Sequence, residues 1–282
     1  MSRLTHISLL GANGMLGTDL AEIAAGYGYS ITKYDLPAFD ITQTDHLRQA
    51  VAEAELVINC AAYTNVEKAE AEPVLADKVN ALAVGQLGEI AKKAGIPVLH
   101  ISTDFVFDGT LDRPYSEQDS PNPVSAYGAS KWRGEQALTT SGCRNCIIRV
   151  EWTYGRHGVN FIKKLLDAAN AGKPLRVVDD QIGAPTATTM VSRAICDLLK
   201  KGFPEGVFHL AAGGYVSRYE MARFMFDTLK MQVVLSPCKT ADFTSAARRP
   251  LNSRFDCSKI ETALGRPLEH WKETLKYYLE QQ

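Results

Sequence analysis

Two side chains in the segment Tyr127-Gly128-Ala129-Ser130-Lys131 could carry out proton chemistry together. A tyrosine and a lysine four residues apart in a helix project from the same face. A free tyrosine hydroxyl, with a pKa of about 10, donates poorly at neutral pH, and a nearby ammonium group favours the phenolate. The pair therefore predicts an acid that protonates a carbonyl oxygen as hydride reaches the carbon. The same spacing also occurs on solvated helix faces, so the interpretation depends on the rest of the chain.

A glycine turn near the start of the chain indicates how a nucleotide could be held. The apolar residues 7–10 lead directly into Gly11-Ala12-Asn13-Gly14-Met15-Leu16-Gly17, and a helical pattern follows. In such a unit the glycines make a tight turn, admit a pyrophosphate to the backbone N–H groups and let helix and sheet close. The spacing is not G-x-G-x-x-G, so a structural turn is the alternative. The predicted cofactor contacts in this turn are Gly11, Asn13, Gly14, Met15, Leu16 and Gly17.

An acidic residue after the second predicted strand bears on the choice of cofactor. Residues 30–34 form a strand pattern that ends at Asp35. A carboxylate there can accept hydrogen bonds from an adenosine ribose and repels a 2′-phosphate. Lys33 shares a strand face with Asp35 and could partly offset that repulsion. We therefore expect both NADH and NADPH to work, with NADH at least as good, and we expect Asp40 and Ile41 to contact the cofactor as well.

The alternation of patterns predicts the fold. Strand-like segments at residues 7–10, 30–34, 56–59, 98–102, 146–150 and 207–210 alternate with helical patterns, including a long one at 73–93. This order predicts an α/β fold with a doubly wound parallel sheet of Rossmann type, in which ligands bind at the carboxyl ends of the strands. After Trp152 the pattern loosens, with helices expected at 161–171, 191–200, 217–229 and 270–282 and a short strand at 175–178. We expect a dinucleotide-binding domain (1–152 plus 187–210) and a smaller, discontinuous α+β substrate lobe (153–186 plus 211–282).

Composition excludes several functions. A chain of 282 residues with 45 % hydrophobic residues can bury a large core, and its net charge of −1 gives no case for nucleic acid or an anionic membrane. No apolar run approaches the roughly 18 residues of a membrane span. The six cysteines are scattered and the six histidines form no ligand cluster, so we expect reduced thiols, no metal and a cytoplasmic location.

Beyond these features, the chain resembles the extended short-chain dehydrogenase/reductases that act on nucleotide sugars, and within them the dTDP-4-dehydrorhamnose reductases. The likeness extends in the family's order from Gly11 to Ser253. It is carried by Asn59-Cys60-Ala61-Ala62-Tyr63-Thr64-Asn65-Val66-Glu67-Lys68-Ala69-Glu70, Ser102-Thr103-Asp104-Phe105-Val106-Phe107-Asp108-Gly109, Arg149-Val150-Glu151-Trp152-Thr153-Tyr154-Gly155, Gln181-Ile182-Gly183-Ala184-Pro185-Thr186 and Arg248-Arg249-Pro250-Leu251-Asn252-Ser253.

The resemblance implies roles for particular residues. The family's active-site threonine falls on Thr103, its general acid on Tyr127 and its lysine on Lys131, which should also hold the nicotinamide ribose. Further cofactor contacts are expected at Ala61, Ala62 and Tyr63. The expected sugar contacts are Thr64, Val66, Thr103, Asp104, Phe105, Tyr127, Trp152 and Arg249.

The sequence departs from the family at two points. Phe105 replaces the usual tyrosine, so a phenol hydroxyl is missing where the sugar could lie. Some members dimerise through magnesium held by carboxylates, and Asp19 could match one of these. Thr188-Thr189 stand where a glutamate would be wanted, which argues against a metal-bridged dimer.

Several of these residues have simpler interpretations. Thr103 could be a core strand hydroxyl, Trp152 could be core, and Arg248 with Arg249 could be a solvated pair rather than a fork for a pyrophosphate. His100 and His209 lie in apolar strands and are read as core residues.

The expected activity is NAD(P)H-dependent reduction of the C4 ketone of dTDP-4-dehydro-L-rhamnose (dTDP-4-dehydro-6-deoxy-L-mannose) to dTDP-L-rhamnose. Alternatives are a reductase or epimerase of another nucleotide-linked 4-keto sugar, or a noncatalytic subunit like the regulatory beta subunit of methionine adenosyltransferase. The expected partner is the nucleotide sugar, with no nucleic acid and no membrane, and the chain is expected to be a monomer or homodimer.

Overall fold

The computed structural model describes residues 5–281. Gln282, the last residue of the helix expected at 270–282, lies outside them. Twelve strands are found in this part of the chain: β1 His6–Leu10, β2 Ser30–Tyr34, β3 Leu56–Asn59, β4 Val98–Thr103, β5 Asn145–Val150, β6 Thr153–Tyr154, β7 Leu175–Val178, β8 Ile182–Gly183, β9 Thr186–Ala187, β10 Gly206–Leu210, β11 Val216–Ser217 and β12 Leu235–Cys238.

Eleven α-helices connect the strands within the described residues. They are α1 Met15–Gly26, α2 Thr44–Ala52, α3 Val66–Ala71, α4 Pro73–Asp77, α5 Ala83–Ala94, α6 Ala126–Ser141, α7 Phe161–Asn170, α8 Thr188–Lys201, α9 Arg218–Thr228, α10 Ser258–Leu264 and α11 Trp271–Leu279. None of them is both long enough and apolar enough to cross a membrane.

The central layer is a six-stranded, wholly parallel sheet in the order β10-β5-β4-β3-β1-β2. These are the six predicted strands, and the expected doubly wound α/β fold is confirmed. Their apolar runs are buried on both faces, as parallel strands require when helices cover each side. Because β1 lies between β2 and β3, the winding reverses there, and a crevice opens beyond the carboxyl ends of β1 and β3.

Outside the central sheet, short strands form three two-stranded sheets. β7 pairs with β12, β8 pairs with β11, and β6 pairs with β9. The strand expected at 175–178 is β7. These pairs lie beyond the carboxyl end of β5, so the segments that follow Trp152 build the side of the crevice that faces the sheet.

Two helices differ from the sequence prediction. The helix expected at 73–93 is interrupted by a π-helical segment, Lys78–Leu82, between α4 and α5. The buried Asn80 in this segment bonds to the Tyr63 backbone and to Ser130, and this tertiary demand has no signature in apolar periodicity. Helix α8 begins at Thr188 rather than at residue 191.

Candidate active site

The glycine turn after β1 has the geometry of a phosphate-binding loop. Gly11 adopts φ +75°, and a Cβ there would lie 2.5 Å from the Ala61 backbone nitrogen. At Gly17 a Cβ would lie 2.1 Å from the Gly11 oxygen, so only glycine lets α1 approach β1 this closely. Helix α1 starts after Gly14 with no side-chain cap. Its first backbone N–H groups are therefore available to an anion, and the turn fits a dinucleotide pyrophosphate.

The turn opens into a cleft of about 880 Å³ along the carboxyl edge of the sheet. It brings together most of the predicted cofactor and sugar residues, which lie far apart in sequence. The predicted residues in its wall are Gly11, Asn13, Gly14, Met15, Leu16, Gly17, Asp35, Asp40, Ile41, Ala61, Ala62, Thr64, Val66, Thr103, Asp104, Phe105, Tyr127, Lys131 and Trp152.

Two carboxylates lie near the β1–β2 end of the cleft. The Asn13 backbone N–H donates to Asp35 at 2.7 Å, and the Leu36 N–H donates to its other oxygen at 2.7 Å. Asp35 is thereby held against the glycine turn. The backbone N–H of Thr42 donates to Asp40 at 2.8 Å and lowers the pKa of that carboxyl group.

Tyr63 and Arg249 are the predicted site residues that do not line this cleft. The Tyr63 hydroxyl donates to Glu72, while its backbone N–H donates to Asn80 at 2.8 Å. The side chain of Tyr63 thus points to neighbouring helices, and its backbone forms part of the loop after β3. Arg249 lies in an adjoining cleft and forms an ion pair with Glu67.

Tyr127 stands at the first turn of α6, opposite the end of β4. The hydroxyl of Ser125 caps this helix by accepting from the Gly128 N–H at 3.1 Å. A Cβ on Gly128 would lie 2.1 Å from the Phe105 carbonyl oxygen, so the glycine lets α6 meet the segment after β4. Phe105 packs edge-on against the Tyr127 ring, with 5.5 Å between centroids.

Burial dominates the acidity of Tyr127. It raises the pKa of the hydroxyl to about 12, a hydrogen bond with Thr103 opposes the rise, and the charge of Asp104 adds to it. The phenol is therefore protonated at neutral pH and stands beside the Thr103 hydroxyl. A protonated phenol and a hydroxyl are the pair needed to bind and protonate a carbonyl oxygen.

Lys131 differs from the expectation that it acts directly on Tyr127. Its side chain is only 2 % exposed, and its Nζ lies 2.7 Å from the Ile101 oxygen and 3.1 Å from His100 Nε2. Burial lowers the pKa of the amine to about 8, while Glu135 and Cys60 act in the opposite direction. Both hydrogen bonds go to β4, whereas the pKa of Tyr127 is set by burial, Thr103 and Asp104.

A second cleft of about 620 Å³ adjoins the first and shares Phe105, Trp152, Phe161 and Arg218 with it. Its wall also contains Gln181, Phe243, Arg248 and Arg249. Its three arginines make the second cleft positively charged, and its phenylalanine and tryptophan rings make its wall aromatic.

Arg218 was not predicted from the sequence, yet it stands at the junction of the two clefts. The first residue of α9, it places its guanidinium carbon 3.5 Å from the centroid of the Trp152 ring and 4.8 Å from that of Phe161. Burial lowers the pKa of Arg218 to about 9, and the charges of Asp104 and Glu151 oppose that effect. The Ser217-x-x-Glu220 capping box predicts a helix start here, but not that the next residue faces a cleft.

Two buried carboxyl groups lie behind this junction. Asp104 accepts from the Ser253 hydroxyl at 2.6 Å, and burial raises its pKa. Glu151, inside the family-like block but without a predicted role, is buried; among the described residues its carboxyl oxygens have no close hydrogen bond, and weaker contacts with the backbone of Ala184 and Phe255 favour its ionised form. Burial, with the charge of Asp104, raises the pKa of Glu151 well above its ordinary value.

A third cleft lies away from this site, around Asp19. The Thr188 hydroxyl donates to Asp19 and so occupies one oxygen of that carboxylate. Near this contact, Asp19, Glu22 and His157 each offer one atom that could bind a metal ion, and these three atoms lie within 4.8 Å of one another. The sequence did not predict this grouping.

The cleft geometry agrees with what comparison with known proteins finds. A family model described as the RmlD substrate binding domain matches residues 5–282. A dTDP-4-dehydrorhamnose reductase from Sinorhizobium fredii is 34 % identical over 96 % of this chain and 95 % of its own length.

Solved structures give the same result. A dTDP-4-dehydrorhamnose reductase from Clostridium acetobutylicum is 34 % identical, superimposes with a TM-score of 0.94, and covers 98 % of this chain and 99 % of its own. The Bacillus anthracis enzyme, solved in complex with NADP, is 33 % identical with a TM-score of 0.93, over 99 % of this chain and 100 % of its own. This chain belongs to the dTDP-4-dehydrorhamnose reductase family.

Proposed function

We propose that this protein reduces the C4 ketone of dTDP-4-dehydro-L-rhamnose with NADH or NADPH and forms dTDP-L-rhamnose. The observation that carries the proposal is that the phosphate-binding turn, Tyr127 and Thr103 line the same cleft. The names of the full-length relatives support this reaction rather than a noncatalytic subunit or an epimerase.

The residues at the end of β4 and the start of α6 perform the proton chemistry. A nicotinamide held by the glycine turn and the cleft would supply hydride to the ketone carbon. Thr103 donates a hydrogen bond to the ketone oxygen and fixes its position, and Tyr127 gives that oxygen its proton. Because the pKa of Tyr127 is raised to about 12, the phenol holds its proton until negative charge develops on the oxygen beside it.

The apolar and aromatic wall of the cleft excludes water from the reacting ketone. Phe105 packs on Tyr127, and Trp152 covers the opposite wall with a backbone φ of +43°, a conformation that bulky residues rarely adopt. Phe105 provides no phenol hydroxyl to the sugar. We therefore assign recognition of the sugar hydroxyls to Thr64, Asp104 and the segment around Val66 at the start of α3.

The second cleft provides for the nucleotide diphosphate. Arg218 and Arg249 are placed along it with guanidinium groups that can pair with phosphate oxygens, and Phe243 offers a ring to the base. Arg249 is oriented by Glu67, whose pKa is lowered to about 2, first through the hydroxyl of Ser245 and also by Arg249 itself. The substrate would thus reach from the arginines to Tyr127 across Trp152.

We further propose that the reaction takes place in the cytoplasm and that the chain acts as a monomer or homodimer. All six cysteines are free thiols, which supports a reducing compartment. The division into a cofactor domain and a substrate lobe is proposed as in the sequence analysis.

The direct test is turnover of dTDP-4-dehydro-L-rhamnose, followed as NADPH oxidation and as dTDP-L-rhamnose formed. We expect Tyr127→Phe to lower kcat by roughly 100-fold or more while KM for both substrates stays near wild type, because only the proton donor is lost. Absence of cofactor oxidation by the wild-type protein would exclude the proposed substrate, and near-normal turnover by Tyr127→Phe would exclude the tyrosine.

A further inference from the structure

Asn59, the last residue of β3, has an amide whose orientation is fixed by its neighbours. Its Oδ1 lies 3.0 Å from the backbone nitrogen of Ala61, and an N–H group can only donate, so the atom that faces it must be the oxygen. The amide nitrogen of Asn59 then donates to His100 Nδ1, 3.1 Å away. Nδ1 is therefore an acceptor without a proton.

This assignment fixes the tautomer of His100. Complete burial lowers the pKa of the imidazole well below its ordinary value, with the charge of Lys131 as a smaller cause, so the ring is neutral and carries one proton. Since Nδ1 accepts, that proton is on Nε2. The Nε2–H group points at Lys131 Nζ, 3.1 Å away.

An ammonium group cannot complete this contact. It has three N–H donors and no lone pair, so two donors would face each other. A neutral amine has a lone pair, accepts from Nε2–H, and still donates to the Ile101 oxygen at 2.7 Å. The contact is satisfied only when Lys131 is deprotonated.

The other fully buried histidine shows the opposite arrangement. His209 Nδ1 lies 3.0 Å from the Tyr115 oxygen, a carbonyl that can only accept, so its proton is on Nδ1. Its Nε2 accepts from the guanidinium of Arg149 at 3.3 Å. A buried histidine beside a permanent cation thus presents an acceptor, whereas His100 presents a donor to Lys131.

We propose that His100 is a positioning residue that holds the neutral amine of Lys131 against β4, and that Lys131 takes part in proton chemistry only after it is protonated and leaves this contact. The groups that face the amine are His100 and the Ile101 carbonyl from β4, Cys60 after β3 and Glu135 one turn further along α6. The groups that face His100 are Asn59 from β3 and Lys131 itself. The kinetic consequence rests on the proposed function; the tautomer and the protonation state do not.

The direction of the pH dependence follows from the sign of the shift. The pKa of Lys131 in the folded protein, about 8, lies below its ordinary value of 10.5, mainly through burial. As pH rises through about 8 the neutral amine accumulates and is retained by His100, so turnover should fall on the alkaline side. Above about 8 the unfolded chain binds more protons at this lysine than the folded chain does, so this group contributes stability as pH rises towards 10.5.

The first experiment observes the tautomer directly. Protein labelled with ¹⁵N-histidine is examined by long-range ¹H–¹⁵N correlation, which distinguishes Nε2–H from Nδ1–H rings, with His100 and His209 assigned by substitution. We expect Nε2–H at His100 and Nδ1–H at His209. An Nδ1–H ring at His100 would overturn the proposal without any kinetic measurement.

The second experiment removes the donor but keeps the acceptor that Asn59 needs. In His100→Asn the new Oδ1 can accept from the Asn59 amide, and the shorter side chain places no atom at the position of Nε2, from which the histidine donates to Lys131. The titration of Lys131, followed through its ¹³Cε resonance, and the alkaline limb of kcat/KM should both move up by about one pH unit. His209→Asn, the matched buried control, should leave both midpoints unchanged.

The titration midpoint of Lys131 tests this proposal even where the proposed function fails, because it needs no turnover. If His100→Asn folds and the Lys131 midpoint does not move, His100 does not select the neutral amine and the proposal is wrong. If the wild-type protein does not turn over the nucleotide sugar, the substrate assignment is wrong, while the tautomer and the lysine titration still decide the role of His100.

Discussion

At the scale of single residues, the position of Asp35 determines which cofactor the protein should prefer. Its carboxylate is held by the N–H groups of Asn13 and Leu36, so it lies against the glycine turn, where we expect the adenosine end of a dinucleotide. A ribose hydroxyl can donate to it, and a 2′-phosphate is repelled. Because one partly exposed charge is screened by solvent, we expect selection to be incomplete.

We expect kcat/KM with NADH to equal or exceed that with NADPH at a fixed concentration of nucleotide sugar. Asp35→Asn should remove the repulsion and improve NADPH relative to NADH by up to roughly tenfold, about 1.4 kcal/mol. The measurement is the ratio of the two kcat/KM values for each protein. A tenfold preference of the wild-type protein for NADPH would show that Asp35 does not face the 2′-position.

Residue spacing and the family resemblance together named Thr103, Tyr127 and most of the residues that the structure brings into one cleft, but not what each group contacts. The four-residue spacing put Tyr127 and Lys131 on one face of α6, and the amine nevertheless bonds to β4. Which partner a buried amine chooses depends on the packing of β3, β4 and α6 together. His100 was read as a core residue because an apolar strand around a histidine carries no sign of its tautomer.

At the scale of elements, the approach of α1 to β1 depends on glycine at one position. A Cβ at Gly17 would lie 2.1 Å from the Gly11 carbonyl oxygen and 2.8 Å from the Ala12 Cα, and both are backbone atoms that cannot move aside cheaply. In Gly17→Ala the turn itself must shift. We expect NADH and NADPH to bind at least tenfold more weakly, as measured by quenching of protein fluorescence.

The same helix supplies a matched control. A Cβ at Gly26, in the last turn of α1, would meet no atom within 4 Å. Gly26→Ala should therefore bind the cofactor normally and be more stable by up to about 1 kcal/mol, because alanine favours the helix. Equal cofactor affinity in the two variants would mean that the turn tolerates displacement.

Local patterns located the central strands well because each is a short apolar run between turns, and such runs survive in any packing. The helix expected at 73–93 was located but not its π-helical segment, since the segment exists to bring Asn80 to the Tyr63 backbone and Ser130. A Cβ on Gly134 of α6 would lie 2.0 Å from the Asn80 oxygen, so the two elements are fitted to each other. Fits of this kind depend on residues far apart in the chain and leave little trace in either segment.

At the scale of the whole molecule, the chain builds one continuous path from two clefts. The sheet contributes the end where we expect the cofactor, and the irregular segments after Trp152 contribute the arginine-lined end. Arg218 and Trp152 line both clefts where they meet. The sequence indicated a smaller lobe and a cleft, but not the junction, because Arg218 and Trp152 come together only when the start of α9 meets the residue that follows β5 by two positions.

At the junction of the two clefts, Arg218 is expected to bind the diphosphate of the nucleotide sugar. Within the described residues the guanidinium of Arg218 makes no ion pair or hydrogen bond and is stacked on Trp152, so a nucleotide diphosphate is the partner that its charge would gain on binding. Arg218→Met keeps the length of the side chain and removes that charge. KM for the nucleotide sugar should rise roughly 10- to 100-fold, the scale of a charge-assisted hydrogen bond, while KM for the cofactor stays within about twofold. Arg223→Met, an exposed position on the same helix, serves as the control and should change neither constant. Initial rates at varied nucleotide sugar and fixed NADPH measure the effect. If Arg218→Met lowered kcat alone and left KM for the sugar unchanged, Arg218 would act on the reacting ketone through Trp152 rather than on the diphosphate.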